Sequence, residues 1–318
     1  MSFPKLALSL FVLILLGTAL VQWRAGAREA AARAAFPPEG QLIEVNGRTV
    51  HAVVMGEGPD LVLIHGSSGN TRDFTFELAE TLAPNYRLFI FDRPGLGWSD
   101  RLPRGAEGIA EQAAHLKAAA DALGARRPLV LGQSYGGAVA LAWATQFPSD
   151  TAGLITVAGA SHRWDGETSL LYRATATWAG STFLVPLIAA FVPQSYVDDS
   201  IQGVFVPQNA PEGYAEYIGA PLSITRDALR ATAAQRVSIK SEIIAMEPAY
   251  PNLTLPQEIV HGSADRIVWI EIHAERMIKD TDQANLTRLE GIGHMPHHVA
   301  QTQVIDAIDR AATRARLR

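Results

Sequence analysis

One stretch constrains this chain more than any other: Pro128 to Ala140, reading PLVLGQSYGGAVA. A short apolar run is followed by Gly-x-Ser-x-Gly and then by small residues of helical character, so Ser134 is expected on a tight turn between a buried strand and a helix. Gly132 and Gly136 suit that turn, because strand and helix backbones approach so closely that a Cβ on either would clash. A serine hydroxyl is a weak nucleophile. A chain that presents one in this way must also supply a base, a group to orient the base, and donors for a developing oxyanion.

The 318 residues admit one large α/β domain or two ordinary ones and can bury a substantial core. With 48% hydrophobic and 19% charged residues the composition is globular, and a net charge of −5 offers no basic footprint for nucleic acid. There is no cysteine, which excludes disulfides, a catalytic thiol and thiolate metal sites. No histidine and carboxylate spacing of a metal site, and no nucleotide loop, is present, so neither a cofactor nor a metal is expected.

The amino terminus differs in kind. Leu6 to Val21 is uncharged and almost wholly aliphatic, flanked by Lys5 and by Trp23 and Arg24. With its flanks it approaches the ~20 residues of a membrane-spanning helix, and Trp23 suits the interface. The expectation is a single-pass anchor over residues 1–24. A cleaved signal peptide is the rival, given Ala25-Gly26-Ala27, and would leave an exported protein; a buried core helix is the third reading. Arg24, Arg28 and Arg33 outnumber Lys5, which by the positive-inside rule holds the following domain in the cytoplasm, yet anchors of this layout also export theirs. The side of the membrane is left open. Residues 25–40 read as an Ala/Arg-rich linker closed by Pro37 and Pro38.

Gln41 to Gly56 alternates around Asn46-Gly47 and predicts an antiparallel hairpin. Apolar runs at Leu61–Ile64, Tyr86–Phe91, Leu129–Leu131 and Leu154–Val157 predict strands covered on both faces, with helices over Thr71–Leu82 and Ile109–Leu123. From Ser161 to Pro251 the alternation stops and aromatic residues gather, which predicts a mostly helical insertion over 161–251. Strand character returns at Leu255–His261 and Ala284–Leu289, and Val299–Arg316 reads as a closing amphipathic helix. The expected fold is α/β: a mostly parallel sheet of about eight strands, helices on both faces, a core of residues 41–160 and 252–318, a helical cap and an N-terminal membrane helix.

Polar, glycine-flanked clusters stand at the carboxyl ends of these strands, where open α/β sheets place their sites. In order they are His65-Gly66-Ser67, Asp92 to Asp100, the Ser134 turn, Asp265 in HGSADRIV, and His294 in GIGHMP. Taken together they resemble the α/β-hydrolase superfamily. The resemblance implies Ser134 as nucleophile, His294 as general base and Asp265 as the residue that orients it, with the backbone amides of Ser67 and Tyr135 as the oxyanion hole. His65, Gly66, Gly132 and Gly136 become supporting residues, and His297 and His298 structural or pocket-lining ones. Trp98 either lines the acyl pocket or packs in its loop, and the Tyr135 phenol points to a pocket wall or to the core. The acid cannot follow the strand after the elbow helix, where Ala158-Gly159-Ala160-Ser161 holds no carboxylate.

The implied activity is that of a serine hydrolase acting through an acyl-enzyme on a small ester or lactone with an apolar part, the aromatic insertion forming a lid. A ligand receptor on the same scaffold, and a C–C hydrolase or perhydrolase using the same residues, are the alternatives. The oligomeric state is not legible.

Overall fold

Strands that must be covered on both faces need helices above and below them, and that is how the chain is layered. The computed structural model describes residues 3–318. Its strands are β1 (Gln41–Val45), β2 (Arg48–Met55), β3 (Asp60–Ile64), β4 (Arg87–Phe91), β5 (Leu129–Gln133), β6 (Gly153–Val157), β7 (Gln257–Gly262) and β8 (Ala284–Leu289). They form one eight-stranded sheet in the order β1-β2-β4-β3-β5-β6-β7-β8. Only β2 runs against its neighbours; every pairing from β4 to β8 is parallel. The β1–β2 turn is Asn46-Gly47, with φ of 52° and 71°, the left-handed pair a two-residue hairpin turn requires.

The helices are α1 (Phe3–Ala35), α2 (Arg72–Thr75), α3 (Leu78–Leu82), α4 (Ile109–Ala122), α5 (Tyr135–Gln146), α6 (Leu170–Ala176), α7 (Val185–Phe191), α8 (Gln194–Phe205), α9 (Tyr214–Tyr217), α10 (Ala220–Ser223), α11 (Arg226–Met246), α12 (Ala274–Asp280), α13 (Pro296–Val299) and α14 (Gln301–Arg314). Because successive strand residues face opposite sides, one β3 strand feeds two cores. Val62 and Ile64 pack with α4 and α5, while Leu61 and Leu63 pack with α3 and α14. Each such side chain stabilises by roughly 1.5–3 kcal/mol before entropy is counted, and truncating Leu63 to Ala costs about 3 kcal/mol.

One expected helix is broken. That over Thr71–Leu82 stops at Phe76-Glu77, because Phe74 and Leu78 enter the core under the sheet while Phe76 turns out to stack on Tyr214 and Tyr217. The closing helix is α14, and a separate short helix, α13, precedes it with its own face aimed inward. α6 to α11 lie between β6 and β7 with no strand among them.

α1 is continuous through the Ala/Arg-rich stretch. It is long and apolar enough to cross a membrane, and the most apolar window of 18 residues has mean hydropathy 2.2 with none of it buried. Its second half is docked instead: Ala25 packs on Ala189 and Ala190, Arg24 Nε donates to the Ala190 carbonyl at 2.8 Å, Arg28 to that of Val192 at 3.0 Å, and Glu29 pairs with Arg226 at 2.7 Å.

Candidate active site

The carboxyl ends of β3, β4, β5, β7 and β8 bring five loops to one edge of the sheet. The sharpest is the β5–α5 turn, where Ser134 takes φ 53° and ψ −117°, a conformation that a non-glycine residue adopts only when its surroundings impose it. The imposition is visible at its glycines: a Cβ on Gly132 would lie 2.0 Å from the Gly136 carbonyl oxygen, and one on Gly136 2.1 Å from that of Ile64.

Ser134 Oγ lies 2.9 Å from His294 Nε2, and His294 Nδ1 lies 2.7 Å from Asp265 Oδ2. The Asp265 carboxylate is buried; burial alone would raise its pKa, but hydrogen bonds from His261 and His294 and the Val268 amide hold it well below the usual carboxylate range. It is therefore an acceptor. That assigns the proton to His294 Nδ1 and leaves Nε2 to accept from the serine hydroxyl. Asp265 also caps its own loop, its Oδ1 accepting from the amides of Ile267 at 2.8 Å and Val268 at 2.9 Å. Gln133 ties the elbow to the histidine loop by donating to the His294 carbonyl at 3.2 Å. Asp280, at the end of α12, pairs instead with His162 at 2.8 Å.

The loop after β3 is gripped from behind. Arg93 is wholly buried and has no carboxylate; its Nε donates to the His65 carbonyl and its Nη2 to the Gly66 carbonyl, each at 2.9 Å. Nη1 reaches Gln112 and Gln235, both at 2.8 Å, and the guanidinium stacks 4.3 Å above the Tyr135 ring. Burial brings its pKa down to about 10. His65 adds a second grip on Gly66, Nδ1 to carbonyl at 2.9 Å, while its Nε2 accepts from the Arg93 amide at 2.9 Å. Burial and the adjacent Arg93 charge hold His65 neutral, with a pKa down to about 4. In a trans peptide the N–H opposes the C=O, so two donors on the Gly66 carbonyl turn the Ser67 amide the other way. Tyr135 opens α5, and its amide has no intrahelical acceptor.

Several sequence alternatives close here. The Tyr135 phenol goes to the core, 3.3 Å from Gln112, with burial raising its pKa. Trp98 packs in its loop, donating to the Phe36 carbonyl at 3.0 Å with Arg33 4.7 Å over its ring. Asp92 buttresses the same loops, accepting from the amides of Thr71 and Trp98.

Ser134 and His294 open on a cavity of about 470 Å³ that Ser67 and Asp73 also line. Asp73 is the centre of a second network that the sequence reading missed. The Tyr214 hydroxyl donates to its Oδ1 at 2.8 Å, His298 Nε2 to the same oxygen at 3.0 Å, and His297 Nε2 to Oδ2 at 3.2 Å. Burial works against this charge, but the imidazoles and hydrogen bonds hold Asp73 well below its usual range. The three ligand atoms lie within 4.8 Å of one another, as at a metal site. Both Nδ1 atoms, however, are buried without a partner, whereas a metal-bound imidazole passes its second N–H to an acceptor. The arrangement fits a closed hydrogen-bonded cluster.

Sheet order, elbow and the histidine and acid loops define a hydrolase fold, and the family model described as alpha/beta hydrolase fold matches residues 59–301. The chain belongs to that family. It is similar to 2-hydroxymuconate semialdehyde hydrolase of Pseudomonas putida, 26% identical over 271 residues that cover 83% of this chain and 86% of that one. Among solved structures, a thermophilic esterase from Thermogutta terrifontis superposes with a TM-score of 0.69 at 20% identity, covering 87% of this chain and 99% of that one. A bacterial membrane phospholipase A superposes with a TM-score of 0.61 at 19% identity, covering 97% and 99%. At these identities the two structures establish the shared fold.

Proposed function

We propose that this hydrolase is a membrane-anchored serine esterase that cleaves a carboxylic ester or lactone with an apolar part. The observation that carries the reading is the chain Ser134–His294–Asp265, whose serine faces a partly open cavity with an aliphatic wall. Ser134 Oγ attacks the carbonyl carbon and its proton passes to His294 Nε2, while Asp265 stabilises the imidazolium. The carbonyl oxygen, now an oxyanion, is held by the amides of Ser67 and Tyr135, each worth about 3 kcal/mol in the transition state. Collapse expels the alcohol, which takes the proton from His294 and leaves an acyl-serine. Water then attacks, His294 taking its proton and returning it to Ser134 as the carboxylic acid departs.

In this reading residues 41–160 and 252–318 are the catalytic core and 161–251 a cap. α1 anchors the chain over residues 1–24, and the cap is tied to it by Arg24 at the anchor's end and by Arg28 and Glu29 in the stretch that follows. A cap that rests on the anchor and exposes Leu170, Trp178 and Phe183 suits a lipophilic substrate. Turnover of p-nitrophenyl esters of graded chain length by the purified full chain, compared with Ser134→Ala, tests the assignment; equal rates for both proteins would sink it. The Pseudomonas putida relative favours a second reading, in which the same residues act on a semialdehyde of that kind. Side-by-side turnover of that compound and of the esters separates the two.

A further inference from the structure

The cavity has two unlike walls. One is aliphatic, with Ile188, Val192, Val197 and Ile201; the other is a face of α11 that presents Leu229, Thr232 and Arg236 at three- and four-residue spacing. Four cations lie on α11, and three are occupied away from the cavity. Arg226 pairs with Glu29 at 2.7 Å, Arg230 with Asp227 at 3.3 Å, and Lys240 donates to the Gly166 carbonyl at 2.9 Å. The guanidinium of Arg236 has neither hydrogen bond nor ion pair among the described residues. It is held only by the Tyr172 ring, 5.4 Å away, which also lines the cavity. The other charged or imidazole groups of the lining, Asp73 and His294, are fully engaged.

The position of Arg236 relative to the reacting serine follows from its helix. Thr232 Oγ1 lies 3.5 Å from Ser68 Oγ, directly beside Ser67. Arg236 stands one turn further on, about 6 Å along the axis. A substrate arm that leaves Ser134 along α11 therefore meets two hydroxyls and then an unpaired, partly desolvated guanidinium, whose fork matches an oxyanion bidentately. We infer that the substrate carries an anionic group, a carboxylate or a phosphate, on the arm lying along α11, and that Arg236 binds it while the apolar arm takes the aliphatic wall. The inference rests on the hydrolase reading and narrows its substrate class to amphipathic, anionic esters.

The test uses matched pairs: mono-p-nitrophenyl esters of straight-chain diacids against the same compounds with the far carboxyl methylated, for wild type, Arg236→Gln and Arg236→Lys. The wild type favours the free acid at one preferred chain length. Arg236→Gln loses about 10- to 100-fold in kcat/KM on the acid and little on the methyl ester, and Arg236→Lys recovers part of the loss. Lysophosphatidate against monoacylglycerol supplies the phosphate arm, and the larger preference identifies the oxyanion. Turnover of both members of each pair at the same rate, or equal losses on both in Arg236→Gln, overturns the anion site alone. Failure of the wild type to hydrolyse any of the esters overturns the hydrolase reading and the site with it.

Discussion

Two buried aspartate–histidine networks sit beside one cavity, built from the same residue types and bound for opposite ends. In the first, Asp265 takes His294 Nδ1 and the imidazole has its second nitrogen on Ser134. In the second, Asp73 takes the Nε2 of both His297 and His298 and a tyrosine hydroxyl besides, and the remaining ring nitrogens face nothing. Both carboxylates are held low by partners that outweigh burial. The lesson is that an imidazole can move a proton only when its carboxylate leaves the far nitrogen free to face a reacting group. Geometry of the second nitrogen, and not the strength of the ion pair, separates a proton shuttle from a fastening. Asp73 fastens α2, α9 and α13 to one another, and so holds the end of the Ser67 loop against the histidine loop.

Substitutions at the two aspartates break the comparison most directly. Asp265→Asn keeps the shape of the site but favours the wrong tautomer of His294, and kcat for a p-nitrophenyl ester falls roughly 10⁴-fold, far more than its loss of buried hydrogen bonds changes the folded fraction of the enzyme at about 25 °C. Asp73→Asn has the opposite signature: unfolding in urea shows about 4 kcal/mol less stability, from donors left facing donors in a buried site, while kcat keeps its order of magnitude. If the two variants exchanged signatures, the division of roles would be wrong.

A third prediction concerns His65, which grips the Ser67 loop without exchanging protons. Its folded pKa, about 4, is below the unfolded 6.5, so the unfolded chain takes up the proton first. Stability is full above pH 6.5 and drains as pH falls toward 4, by about 3 kcal/mol from this residue. Thermal unfolding of His65→Asn between those pH values has a correspondingly shallower slope. The smallest effect belongs to Trp98: Trp98→Leu costs about 1 kcal/mol of stability, from one hydrogen bond and one cation–π contact, and leaves KM for short esters unchanged.

The first network was legible in the sequence because each member lies in a glycine-bounded loop at a strand end, and chain order alone places those loops side by side. The second was not. Asp73 sits in an ordinary-looking RDFT turn, and its partners come from more than 140 residues away. The one available signal was the doublet His297-His298 directly after His294, since adjacent histidines on one short turn both need an acceptor once buried. The buried strands were readable from their apolar runs, and the hairpin from Asn46-Gly47. The break at Phe76 and the short α13 ahead of the closing helix were not, because the residues responsible turn toward partners in α9 and α2. Arg93 was passed over as part of a loop motif, although a wholly buried arginine without a carboxylate turned out to hold the loop's carbonyls.

Labelling of the full chain with a fluorophosphonate, followed by mass spectrometry of its peptides, bears most directly on the central claim that Ser134 is the activated nucleophile. One adduct, on Ser134, is expected; it disappears in Ser134→Ala, forms far more slowly in His294→Ala, and forms at close to the wild-type rate in Asp73→Asn. No adduct in the wild type, or an adduct of undiminished yield in Ser134→Ala, would contradict the account.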